Sequence, residues 1–198
     1  MLSSITPLGE RGRNNRFAVA ASFFVAGSLL GGAMVGAIAG GLGAWIVPDA
    51  SAVEAALVVA LALVGAAIDS RLGGVRLPTI TRQVDERWLQ KYRGWVYGFG
   101  FGVQLGTGVA TIITSAAVYV MLAAALVSRS LVAGFAIGIT FGAVRGASIL
   151  LARRVHTPDE LRAFHRSLAA NALRSERAGI VVQTFVALGG IVAIVSVR

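Results

Sequence analysis

The sequence contains no cysteine, which excludes disulfides, thiolate nucleophiles, iron–sulfur clusters and Cys-ligated zinc. Charge is also scarce: 14% of the 198 residues are Asp, Glu, Lys or Arg, against about 25% in a soluble domain. The two histidines, His156 and His165, both lie in a basic segment and outside every apolar run, so intramembrane haem is not expected. His156 beside Asp159 and Glu160 reads as a solvated helix start, and no metal or cofactor is expected. A P-loop, a G-x-S-x-G elbow, an H-E-x-x-H pair and a dense carboxylate cluster are all missing, which argues against an enzyme.

What the chain has instead is apolar surface. Hydrophobic residues make up 56% of it, with 25 glycines and a mean hydropathy of +0.77. Several apolar stretches exceed the roughly 18 residues that mark a bilayer span, so hydrocarbon is the expected solvent. We predict an all-α, polytopic integral membrane helix bundle forming one domain over 1–198. Five spans are expected near 17–47, 53–69, 95–127, 131–152 and 178–197, with polar loops at 70–94 and 153–177. Because Arg11, Arg13 and Arg16 precede an apolar run longer than a signal-peptide core, the first run is expected to be a retained span. Pro48-Asp49 suits the turn after it, and Ser51-Ala-Val-Glu54 has capping-box spacing at the next helix start.

The second loop opens with Thr157-Pro158-Asp159-Glu160, a helix-start signature. Leu161, Phe164, Leu168 and Ala172 then recur at helical spacing, with Arg162, Arg166, Arg174 and Arg177 placed elsewhere. This pattern predicts a basic amphipathic helix lying on the membrane interface.

Charge placement orients the spans independently of hydropathy. With the N-terminus cytoplasmic and the C-terminus outside, the loops 70–94 and 153–177 each place six basic residues inside, while Arg129 and Arg198 fall outside. Trp88, Tyr92 and Trp95 suit the membrane–water boundary. The expected location is the cell membrane, and the formal charge of +9 points to anionic lipid as partner and away from nucleic acid.

Small residues recur every four positions: Gly94, Gly98, Gly102 and Gly106; Gly134, Gly138, Gly142 and Gly146; and Ser28, Gly32, Gly36 and Gly40. Such stripes let helix backbones approach closely in lipid, where apolar burial gives little drive for association, so spans one, three and four are expected to pack together. A shift of 75 aligns Phe24 to Gly31 with Phe99 to Gly106 as F-x-x-G-x-x-L-G, the mark of a two-hairpin parallel repeat. Spans one and three, at roughly 46–50 Å of ideal helix, must tilt, kink or project.

Polar groups inside the runs are few. Gln104, Thr107, Thr111 and Thr114 share one helix face, although threonines also satisfy themselves on the preceding turn. Arg145 lies near the cytoplasmic end of span four and Gln183 near that of span five. A layer of Gln104, Arg145 and Gln183 would suit a small anion or an anionic headgroup entering from inside. Glu54 and Asp69 are read as residues at the two wet ends of span two. The expected function is a small permease-like or channel-like protein, possibly homo-oligomeric, with a polar path near the cytoplasmic side. The alternative is a non-catalytic membrane subunit or assembly factor that docks a membrane protein partner through its glycine stripes.

Overall fold

The structure is a computed structural model. It describes residues 4–47, 51–70, 87–109 and 115–196, and leaves out the side chains of 51–55, 190 and 193–196. The Pro48-Asp49 turn, the Ser51 to Glu54 cap, most of the first basic loop, Thr111 and Thr114 therefore lie outside the described side chains. All regular structure among the described residues is helical: α1 (Pro7–Gly12), α2 (Phe17–Ile46), α3 (Ser51–Asp69), α4 (Trp88–Lys91), α5 (Gly94–Thr107), α6 (Ala117–Val127), α7 (Leu131–Ala147) and α8 (Pro158–Ser196). A 3-10 segment, Ser148–Arg154, extends α7. Two stretches, Phe17–Ile46 and Leu131–Arg154, are long and apolar enough to cross a membrane, and Ala56–Asp69 and Ala117–Val127 are shorter apolar helices.

Two expectations are corrected. The run 95–127 is not one helix, because α5 stops at Thr107 and Gly108 turns left-handed at φ 74°, its N–H bonding to the Leu105 carbonyl at 3.1 Å. Glycine takes that conformation without a Cβ penalty and so closes a helix; hydropathy does not register it. The amphipathic segment and the fifth run are likewise one unbroken helix, α8, of 39 residues. No proline or glycine lies between its Pro158 start and Gly179 to provide the break that a separate interfacial helix needs. Along that stretch Leu161 and Phe164 are half-buried, while Leu168 and Ala172 are exposed.

The chain divides into two compact units. The first comprises Met1–Gly32, Ile80–Ile112 and Ile139–Ala172. Its core is Ile5, Ala20, Ala21, Phe24, Leu89, Tyr97, Phe101 and Ile149. Here α5 lies against the first half of α2 so closely that a methyl group at Gly98, Gly102 or Gly106 would overlap the carbonyl oxygens of Ala20, Phe24 and Ser28. Reciprocally, a methyl at Gly27 or Gly31 would strike the Phe99 or Val103 carbonyl. The two F-x-x-G-x-x-L-G octets thus face each other. Ser28 is fully buried and donates its hydroxyl to the Gly142 carbonyl at 2.9 Å, and Gly146 also borders it.

The second unit comprises Ala33–Thr79, Ile113–Gly138 and Leu173–Arg198. Gly36 meets Gly134 and Gly138, Gly40 meets Ser130 and Gly134, and Gly43 meets Leu126. Helices α3 and α6 run antiparallel, with Ala62, Val120 and Ala187 buried between α3, α6 and α8. Large apolar side chains remain exposed on several helices, among them Leu42, Trp45, Val132, Val182 and Phe185.

Candidate functional site

The interruption of the 95–127 run leaves the start of α6 inside an apolar stretch, and in the second unit that start meets one carboxylate. Asp69 is the last residue of α3. Its Oδ1 accepts the Ala116 N–H at 2.7 Å, and its Oδ2 accepts the Ser115 hydroxyl at 2.7 Å and the Gln183 Nε2 at 2.7 Å. Ser115 Oγ in turn accepts the Ala117 N–H at 3.1 Å. The first turn of any helix has free N–H groups and a partial positive charge, and Asp69 with Ser115 satisfies two of those groups on α6. At α3 the same carboxylate stands at the negative end of the helix, whose last turn has no basic residue. Among the described residues, no Lys, Arg or His side chain pairs with it.

Gln183 reaches this cluster because Gly179, Gln183 and Ala187 fall on one face of α8, with Gln183 1% exposed. Among the described residues, its Oε1 has no hydrogen-bond partner. Gly65 leaves the space for it: a Cβ there would stand 2.8 Å from Oε1.

A second buried polar cluster belongs to the first unit. Thr6 caps α1, accepting the Gly9 N–H at 3.0 Å. The short helix then buries Glu10 completely. The Tyr97 hydroxyl donates to Glu10 Oε2 in a short hydrogen bond, Arg13 pairs with Glu10 Oε1 at 2.7 Å, and Asn15 Nδ2 donates to the Tyr97 oxygen at 3.3 Å. Arg13 also bonds the Ser4 carbonyl at 2.6 Å and lies over the Tyr97 ring at 5.8 Å. Burial opposes its charge, but the Glu10 carboxylate outweighs burial and raises the guanidinium pKa above its ordinary value. The Tyr97 bonds to Glu10 and Asn15 tie α1 and the chain after it to α5, while the Thr6 and Arg13 bonds brace the N-terminal segment itself, which describes a structural clasp.

Of the residues singled out from sequence, Gln104 and Thr107 are half-buried on α5, where the Thr107 hydroxyl donates to the Gln104 carbonyl at 2.9 Å. Arg145 is half-buried with its guanidinium 5.3 Å from the Phe141 ring centre. These three belong to the first unit and Gln183 to the second, where its partner is Asp69. Gly32 and Gly138 are buried like the other stripe glycines.

Sequence reasoning missed Asp69, Ser115 and Glu10 as interior polar residues. The signal for Ser115 was present: Gly106-Thr107-Gly108 is a helix-stop pattern, and Thr114-Ser115 supplies a start within the same apolar run. Two grooves among the described residues are largely apolar. One of about 360 Å³ is lined by Val35, Ile38, Leu42, Leu122 and Leu126, and one of about 630 Å³ by Phe17, Val25, Leu29, Leu150 and Arg153. Among the described residues no group of His, Asp and Glu could hold a transition metal. Compared with known protein families, curated proteins and solved structures, the chain matches none.

Proposed function

We propose that this chain is a small permease-like protein of the cell membrane, with its N-terminus in the cytoplasm, whose polar point is the start of α6. The observation that carries the reading is the Asp69 carboxylate fastened to a helix start within an apolar run. From the Ser128-Arg129-Ser130 turn, α6 extends only eleven residues, about 16 Å of rise, or roughly half of a 30 Å hydrocarbon core. With that turn at the outer surface, Asp69 lies inside the apolar runs on the cytoplasmic side, level with its partner Gln183 near the inner end of span five. Irregular backbone is tolerated there only where protein or a water-filled cavity surrounds it, and an ionisable residue inside a bilayer is a functional candidate by default. Interrupted helices of this kind form binding sites in transporters.

The exposed Leu42, Trp45, Val132, Val182 and Phe185 support hydrocarbon as the medium, in keeping with five spans and anionic lipid at the basic loops. In the first unit, Gln104 and Thr107 give α5 a half-buried polar face of its own. The rival reading, a subunit that docks a partner through glycine stripes, is weakened because Gly36, Gly102, Gly106, Gly134 and Gly142 meet backbone of this same chain.

Proteoliposomes on a solid-supported membrane test the proposal, challenged in turn with amino acids, sugars, organic anions and alkali salts. A saturable current with one class, lowered at least tenfold in Asp69→Asn and reduced in Gln104→Leu, is expected. Silence toward every class, together with stoichiometric co-purification of another membrane protein in mild detergent, would replace this reading with the subunit reading. Single cysteines introduced at Arg82 and Arg166 into this cysteine-free chain are expected to label from the same side; labelling from opposite sides overturns the five-span threading.

A further inference from the structure

The cluster around Asp69 has an acceptor left over. Three neutral donors reach the carboxylate, from Ser115, Ala116 and Gln183. The Gln183 amide is fixed in its orientation by this contact, since turning it over would set its oxygen against the carboxylate, acceptor against acceptor. Its Oε1 is therefore committed to the space beside Gly65, buried and unpaired. Buried acceptors without a donor are rare, and each calls for a missing partner.

The electrostatics say what kind of partner. The negative end of α3, the Asp69 charge and an open amide oxygen come together where no described side chain brings a positive charge. All the available donor atoms are hard oxygens, and Ser115 Oγ retains a free lone pair after donating to Asp69 and accepting from Ala117. Soft metals want thiolate or imidazole, which are missing. Calcium and magnesium gather several oxygens, usually from more than one acidic group, and among the described residues only one carboxylate is here. A proton on Asp69 would leave Gln183 Oε1 as unpaired as before.

We propose that Asp69, Gln183 Oε1 and Ser115 Oγ form a sodium site, with water completing the coordination. A monovalent cation matches the single charge and satisfies Oε1 and the carboxylate together. Sodium bound at the start of α6 would couple the transport reading above to an ion gradient. The site rests on that reading only for its role, since binding is measurable without flux.

Purified protein in mild detergent would be melted in NaCl and in choline chloride of equal ionic strength. The expected result is a higher Tm in sodium, rising with concentration and saturating, as mass action on the folded state requires. The shift is expected to vanish in Asp69→Asn and Gln183→Leu and to persist in Ser70→Ala, whose hydroxyl bonds, among the described residues, the Ala66 and Ala67 carbonyls. Binding of 22Na+ to the unaltered protein, displaced by unlabelled sodium and not by choline, gives a readout that does not depend on any variant folding. Equal melting in the two salts with no displaceable 22Na+, the result expected of water alone in the site, overturns the proposal, as does a sodium shift that survives Asp69→Asn. A sodium shift without flux of any solute keeps the site and removes the permease reading. Flux with no sodium shift does the reverse.

Discussion

Asp69 and Ala116 stand 47 residues apart, and the carboxylate of the first accepts the backbone N–H of the second at 2.7 Å. That one bond fixes the end of α3 against the start of α6 and sets a full charge beside a helix terminus in the middle of an apolar run. Removing the charge should therefore be felt in stability before it is felt in any activity. In choline chloride, Asp69→Asn is expected to lower unfolding stability by about 1–3 kcal/mol, the usual contribution of hydrogen bonds to a charged group. Ser115→Ala should lose about 1 kcal/mol, as for an ordinary helix cap. Thermal unfolding in detergent, monitored by circular dichroism, measures both, and equal stability of Asp69→Asn and the unaltered protein would contradict the arrangement.

Tyr97 is fully buried, and its hydroxyl satisfies a fully buried Glu10. Tyr97→Phe leaves that carboxylate with one donor fewer, for an expected loss of about 1–3 kcal/mol. Glu10→Gln should lose a similar amount, and the double variant less than the sum, because both act on one interaction. Strict additivity in a double-mutant cycle would show that the two side chains do not interact.

Gly134 and Gly41 both lie in apolar helices, but their surroundings differ. A Cβ at Gly134 would overlap the Gly36 carbonyl oxygen, whereas nothing lies within 4 Å of one at Gly41. Gly134→Ala is expected to destabilise by about 1–3 kcal/mol through backbone displacement. Gly41→Ala should be neutral or slightly stabilising, since alanine favours helix by up to about 1 kcal/mol. Similar unfolding midpoints for the two variants would refute the close approach of α2 and α7 within the second unit.

At the start of α8, Glu160 accepts the backbone N–H groups of His156 at 2.7 Å and Thr157 at 3.0 Å. The His156 bond is the largest cause of a glutamate pKa below its ordinary 4.5. A carboxylate whose pKa folding lowers contributes stability above its ordinary value and loses it as pH falls through the lowered one. Protection of the His156 and Thr157 amides, relative to their intrinsic exchange rate at each pH, should thus fall below about pH 4.5 in the unaltered protein. In Glu160→Gln, protection should already be low at neutral pH and should change little on acidification. Identical profiles for the two would remove the capping role.

Much of the helix layout was legible in the residues. The 30-residue α2 and the α7 region follow from apolar runs whose one interior charge is Arg145, and the start of α8 follows from Thr157-Pro158-Asp159-Glu160. The candidate site was legible only in part. Gln183 stands out as an amide in an apolar run, but Asp69, at the end of one, reads as an ordinary wet terminus.

By itself the sequence determined the class: an all-helical chain with few charges, no cysteine for thiol chemistry, and long apolar runs, two of which form helices long enough to cross a membrane. Hydropathy and local helix signals are sums over neighbours, so they carry that much. Only the tertiary structure decided that the third run breaks at Gly108, that α8 does not break at all, and that Asp69, Ser115 and Gln183 share one cluster. A left-handed dihedral at one glycine leaves no mark on average apolarity. Contacts between residues 46 and 114 positions apart depend on how helices lie against one another, which no local pattern encodes.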